Sequence, residues 1–212
     1  MTTRKIARLI PEARVVDCDI QEHVARSEAD PPNREYRQIK PFSLASENLQ
    51  PDIISLCGVV HHISPGDEDR FMQDLCSALK PGGRLLVHEH KLSDHSFRRR
   101  IEGALLRMNE FLTNEALESM ACAYNFFTRP RLRALLEGNG FRVLDEEDTG
   151  RRFITIPTLN SNMAFWCAKG MPQTPQESWR NKRRSRSPAN KHWNTKAGIC
   201  TIASFRWTFI TI

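Results

Sequence analysis

Short apolar runs bounded by proline or charged residues recur along the first 170 residues of the chain. RVVDC at 14–18, PDIISLCGVV at 51–60 and RLLVH at 84–88 have the length and near-continuous apolar character of buried strands. Between the second and third runs, Phe71, Leu75 and Leu79 recur every four residues, as one helical face does, and Lys80-Pro81-Gly82-Gly83 stops that helix. Strand, helix, proline-glycine stop and strand form a βαβ unit, which requires parallel strands and a right-handed crossover. Residues 94–124 are rich in helix formers, and Phe97, Ile101, Leu105, Met108 and Leu112 stand three or four apart, predicting one long helix or two with that face packed in the core. Thr128 and Pro130 open a further helix whose buried face is Leu132, Leu135 and Leu136, and Gly138-Asn139-Gly140 ends it. Strands at 141–145 and 163–169, joined by a polar loop around Pro157, complete the pattern. The expected fold is α/β: a mostly parallel sheet with flanking helices and an antiparallel last strand.

Composition adjusts this picture in three places. No stretch approaches the roughly 20 apolar residues of a membrane span, and the start lacks the apolar core of a secretory signal, so no membrane partner and a cytoplasmic location are expected. The six cysteines form no CxxC pair, so most are expected to be small reduced core residues. The net charge of +6 is concentrated at the end: residues 171–212 hold eight Lys/Arg and one acid, leaving 23 basic against 24 acidic side chains elsewhere. Residues 1–170 therefore read as one folded domain and 171–212 as a basic, Pro/Ser/Asn-rich disordered tail. The tail's run RNKRRSRSP, Arg180 to Pro188, is the one segment suited to nuclear import or nucleic-acid contact. Its β-prone end, ICTIASFRWTFITI, has no assigned role.

Three segments, PDIISLCGVVHHI, LCSALKPGGRLLVHEH and LRALLEGNGFRVLDEE, occur in an order that resembles the class I S-adenosylmethionine-dependent methyltransferase family of small-molecule type. They are similar to that family's fourth strand and its His-His turn, its LKPGG turn and fifth strand, and the lead into its sixth strand; MAFWCAKG is similar to the seventh. The resemblance implies a Rossmann-like sheet that binds S-adenosylmethionine at the C-terminal ends of its strands, and methyl transfer to a small-molecule acceptor. It places an acid at the end of the family's second strand, where a carboxylate accepts two hydrogen bonds from the ribose diol. Asp17 and Asp19 are available there, and the family pattern favours Asp19. Cys57 and Gly58 fall where the cofactor's methionine part lies. The aromatic residues of 94–127 suit an apolar or aromatic acceptor above the sheet.

His61-His62 and His88-Glu89-His90 stand at adjacent strand ends. Their spacing supplies no complete ligand set, so no metal is expected, and His62, His90 and Glu89 are the candidates for the base that takes the acceptor's proton. The family's first strand and glycine-rich loop have no counterpart, because residues 3–9 already read as the helix that follows that loop and the first glycine is Gly58. The chain thus reads as N-terminally truncated, with two inner sheet edges unpaired. Such edges invite a rearrangement, a borrowed strand or a protein partner, and the alternative reading is a catalytically silent methyltransferase-like module that binds one.

Overall fold

The computed structural model describes residues 3–20, 30–113, 124–149, 162–170 and 207–211, with backbone alone for 109–113 and 207–211. Helix α1 (Thr3–Leu9) leads into strand β1 (Arg14–Asp19), which pairs in parallel with β2 (Arg34–Gln38). Strand β3 (Ile53–Cys57), helix α2 (Glu68–Ala78) and strand β4 (Arg84–Leu92) realise the βαβ unit, with β3 and β4 parallel. After β4 come α3 (Ser96–Thr113), the two-residue strand β5 (Phe127–Thr128), α4 (Arg129–Gly138), β6 (Phe141–Asp148), β7 (Asn162–Lys169) and β8 (Trp207–Thr211). The strand order is β2-β1-β8-β3-β4-β7-β6, with β5 beside the end of β4. Antiparallel β7 lies between β4 and β6, as the sequence predicts for a late addition.

Strand β8 departs from expectation. It runs antiparallel between β1 and β3, with Phe209 opposite both Val16 and Ile54. The two inner edges expected to be open are therefore paired, and residues 207–211 of the segment expected to be a disordered tail belong to the sheet. Residues 171–206, including the Arg180 to Pro188 run, lie outside the described residues.

Strand alternation distributes the core. Val16, Cys18, Ile54, Leu56, Leu85 and Val87 face the main core with Phe71, Met72 and Leu75 of α2 and Leu132 and Leu136 of α4. Val15 and Ile53 face the other way, onto Ala7 and Ile6 of α1. Asn33 ties α1 to the sheet by donating from its amide to the carbonyls of Ala7, Ile10 and Ala13 at 3.0, 3.1 and 2.8 Å. The LKPGG turn depends on its glycines. Gly82 has φ +76°, and a Cβ at Gly83 would lie 2.9 Å from the Lys80 carbonyl oxygen. Helix α3 corrects the periodic reading: Phe97, Ile101 and Met108 are exposed, while Glu102 and Leu106 are buried. The spacing marks a stripe correctly, but the helix presents that stripe outward.

Candidate functional site

The strands that run parallel all end on one side of the sheet, and the direction of the crossovers changes between β1 and β3. That is the place where an open α/β sheet forms a ligand crevice. Asp19 ends β1, Cys57 ends β3, and His88 to His90 lie in the second half of β4.

The two acids of β1 differ in what they hold. Asp17 Oδ2 accepts hydrogen bonds from the Thr3 hydroxyl (2.6 Å) and from Arg34 Nε and Nη2 (3.1 and 2.5 Å). It fastens α1 and β2 to β1, a structural duty. Asp19 is buried at the strand end, and its backbone carbonyl accepts from Ile39 N–H at 2.8 Å. Cys57 is exposed, with its Sγ 3.8 Å from Ser55 Oγ. Gly58 turns the chain with φ +65° and donates its N–H to the His88 carbonyl at 2.9 Å. A side chain there would be strained by backbone conformation.

Beyond Gly58 the backbone wraps around one carboxylate. Buried Glu89 accepts Val59 N–H and Val60 N–H on Oε1, at 2.6 and 2.7 Å, and meets His61 Nδ1 on Oε2 at 2.7 Å. Burial pushes the Glu89 carboxyl upward. The His61 charge and hydrogen bond, the Val60 N–H and the His90 charge outweigh it and hold the group below its ordinary value. Glu89 is thus an acceptor-only carboxylate, and the proton between the two groups rests on His61 Nδ1. In the neutral ring the lone pair is then on Nε2.

His62 and His90 join this cluster. Ring centroids of His61 lie 4.1 Å from His62, 5.3 Å from His90 and 5.1 Å from Phe126, the last nearly parallel. Tyr124 stands edge-on to His62 at 5.3 Å. Asn125 fixes this segment from both sides: its N–H donates to the His61 carbonyl at 2.7 Å, and its amide donates to Glu68 Oε1 at 2.7 Å. His62 is pushed down to about 3, first by burial and then by the neighbouring His61 and His90 charges, against the pull of Glu89. It is neutral throughout the physiological range. His88 points elsewhere, its Nε2 2.9 Å from the Thr149 hydroxyl.

The structure therefore brings His61, His62, His90 and Glu89 together beside Cys57 and Gly58 at the end of β3, and places Asp19 at the end of β1, on the other side of β8. His61 was not among the candidate bases; only a contact across 28 residues, to Glu89, distinguishes it from its neighbour. Among the described residues no group of three or more His, Cys, Asp or Glu is arranged to hold a metal ion. No helix among them is long and apolar enough to cross a membrane.

Among solved structures, the chain is similar to a Burkholderia thailandensis 1,6-didemethyltoxoflavin-N1-methyltransferase with bound 1,6-didemethyltoxoflavin and S-adenosylhomocysteine. The identity is 15% and the TM-score 0.49, over 74% of this chain and 62% of that one. It is also similar to human N-acetylserotonin methyltransferase in complex with SAM, at 20% identity and TM-score 0.46, over 70% of this chain and 36% of that one. The chain thus spans between 36% and 62% of the length of these two proteins. A search of curated proteins found no match. The methyltransferase domain family model matches residues 5–146, and on that match the chain belongs to the methyltransferase domain family.

Proposed function

We propose that this chain carries an S-adenosylmethionine-dependent methyl transfer to a small-molecule acceptor. The reading rests on family membership and on one observation of the site: the buried His61–Glu89 pair, held at 2.7 Å beside Gly58 at the end of β3. Asp19 would hold the cofactor's ribose diol, as a strand-end carboxylate suited to two hydroxyl donors. Gly58, with its positive φ, and Cys57 would line the methionine part. The cofactor, when bound, supplies an electrophilic methyl group.

The chain's own residues do the rest. A neutral histidine of this cluster takes the acceptor's proton, while Glu89 keeps His61 Nδ1 protonated and fixes that ring. Glu89 is for that reason a positioning residue and not the base. His62 is a weak base at its depressed pKa and contributes a neutral hydrogen-bonding wall. His90 sits beside the same ring and tunes the charge of Glu89. Tyr124 and Phe126, both buried against the histidines, favour an apolar or aromatic acceptor.

Calorimetric titration with S-adenosylhomocysteine tests the reading. Saturable heat from the wild-type chain, lost in Asp19→Ala with an unchanged far-UV spectrum, is the expected result. A folded wild-type chain that gives no heat refutes it.

A further inference from the structure

Helix α3 inverts the usual burial of an amphipathic helix. Phe97, Ile101 and Met108 are 68%, 45% and 52% exposed, Leu105 is half-buried beside them, and among the described side chains the face toward the sheet carries the Glu102 carboxylate and one large apolar group, Leu106. Glu102 is used internally: it accepts from Ser93 N–H at 2.6 Å and from Arg98 Nε at 2.8 Å. At about 100° per residue, Phe97, Ile101, Leu105 and Met108 form one stripe, with Arg98 along one side and Arg100 and Arg107 along the other. Among the described residues Arg100 and Arg107 make no ion pair, and residues 96–108 hold no exposed acid.

Large exposed apolar stripes mark contact surfaces. Along one flank Arg100 and Arg107 have no ion pair among the described residues, while Arg98 on the other is paired with Glu102, so the stripe calls for hydrocarbon with anions beside it. A phospholipid headgroup layer offers the two together, and long arginine stems let the guanidinium reach the phosphates while the stripe sinks below them. We propose that the outward face of α3 docks on an anionic phospholipid surface, lying in the interface plane without crossing it. This departs from the expectation that no membrane is involved. It is independent of the proposed chemistry, since every residue it uses is outside the His61–Glu89 cluster.

Co-sedimentation of the full chain with vesicles of phosphatidylcholine alone, and of phosphatidylcholine mixed with phosphatidylglycerol, tests it. Binding to the mixed vesicles only, weakened by salt, is expected. The double variants Phe97→Ser/Ile101→Ser and Arg100→Glu/Arg107→Glu should each lower partitioning by about tenfold while far-UV spectrum and urea midpoint stay as in the wild type. Because 171–212 is also basic, Arg183→Gln/Arg184→Gln/Arg186→Gln is the third arm, and it should leave most of the binding in place. The proposal is overturned if the wild type ignores mixed vesicles, or if binding survives the α3 variants and disappears with the third. It is equally overturned if the chain is a dimer in solution that Phe97→Ser/Ile101→Ser dissociates, which would give the stripe to a second copy.

Discussion

Removing residues 207–212 should unfold most of the protein, although it takes away only the last strand in the sequence. In the structure β8 is paired with five residues of β1 and four of β3, and these two strands meet no other partner on those sides. In an antiparallel ladder about one backbone bond forms per paired residue, so deletion leaves roughly nine N–H and C=O groups without partners. They belong to strands whose Val15, Val16, Cys18, Ile54 and Leu56 are almost completely buried, so water reaches them poorly. At about 1–2 kcal/mol per orphaned group, less about 1 kcal/mol of backbone freedom regained for each residue of β8, the loss is about 4–13 kcal/mol. Whole domains are stable by about 5–15 kcal/mol. Urea unfolding followed by far-UV circular dichroism is the assay, with the truncated chain and the gentler Phe209→Pro compared with the wild type. The truncated chain should show a midpoint near zero denaturant, and Phe209→Pro, which removes one ladder donor, a midpoint in between. A truncated chain with native ellipticity and an unshifted midpoint would refute the argument and remove β8 from the sheet.

Glu89→Ala should destabilise by about 3–5 kcal/mol, because two buried N–H groups and His61 lose their acceptor together; Glu89→Gln, which keeps one oxygen for the backbone, should cost less in the same urea titration. Asp17→Ala should cost about 2–3 kcal/mol, since Thr3 and largely buried Arg34 lose a shared acceptor, although Arg34 keeps Asp30 at 2.9 Å; an unchanged thermal midpoint would contradict this. His62 titrates at about 3 in the fold and near 6.5 when unfolded. Between those values the unfolded chain binds more protons, so stability present above pH 6.5 falls as the solution is acidified toward pH 3. The loss should reach about 2 kcal/mol at pH 5. His62→Gln should shrink the change in unfolding free energy between pH 7.5 and pH 5, read from urea titrations, by that amount.

What the sequence revealed and what it concealed divide along the range of the interactions involved. The LKPGG turn, the α2 face of Phe71 and Leu75, and the α4 stop at Asn139 are short-range devices, and each stands where its residues predict. Asp17 and Asp19 share one face of β1, and what sets them apart in the fold lies outside the strand, in Arg34 and Thr3, which reach Asp17 from β2 and α1. The two histidines after Gly58 are equivalent locally, and Glu89, 28 residues on, chooses between them. For α3, a spacing of three and four defines a stripe and carries no information about which side of the helix meets the sheet. Glu102 decides that by turning inward to the Ser93 N–H. The segment that forms β8 shows strand propensity in its aromatic and β-branched residues, but a strand is specified by its neighbours as much as by itself. Its neighbours are more than 150 residues upstream. The parallel pair of β3 and β4 is coded locally by the helix that connects them, whereas the joint between β1 and β3 is closed by residues 207–211. The position that matters most for a ligand crevice, the point where the crossovers reverse, is therefore the position least accessible to any local reading.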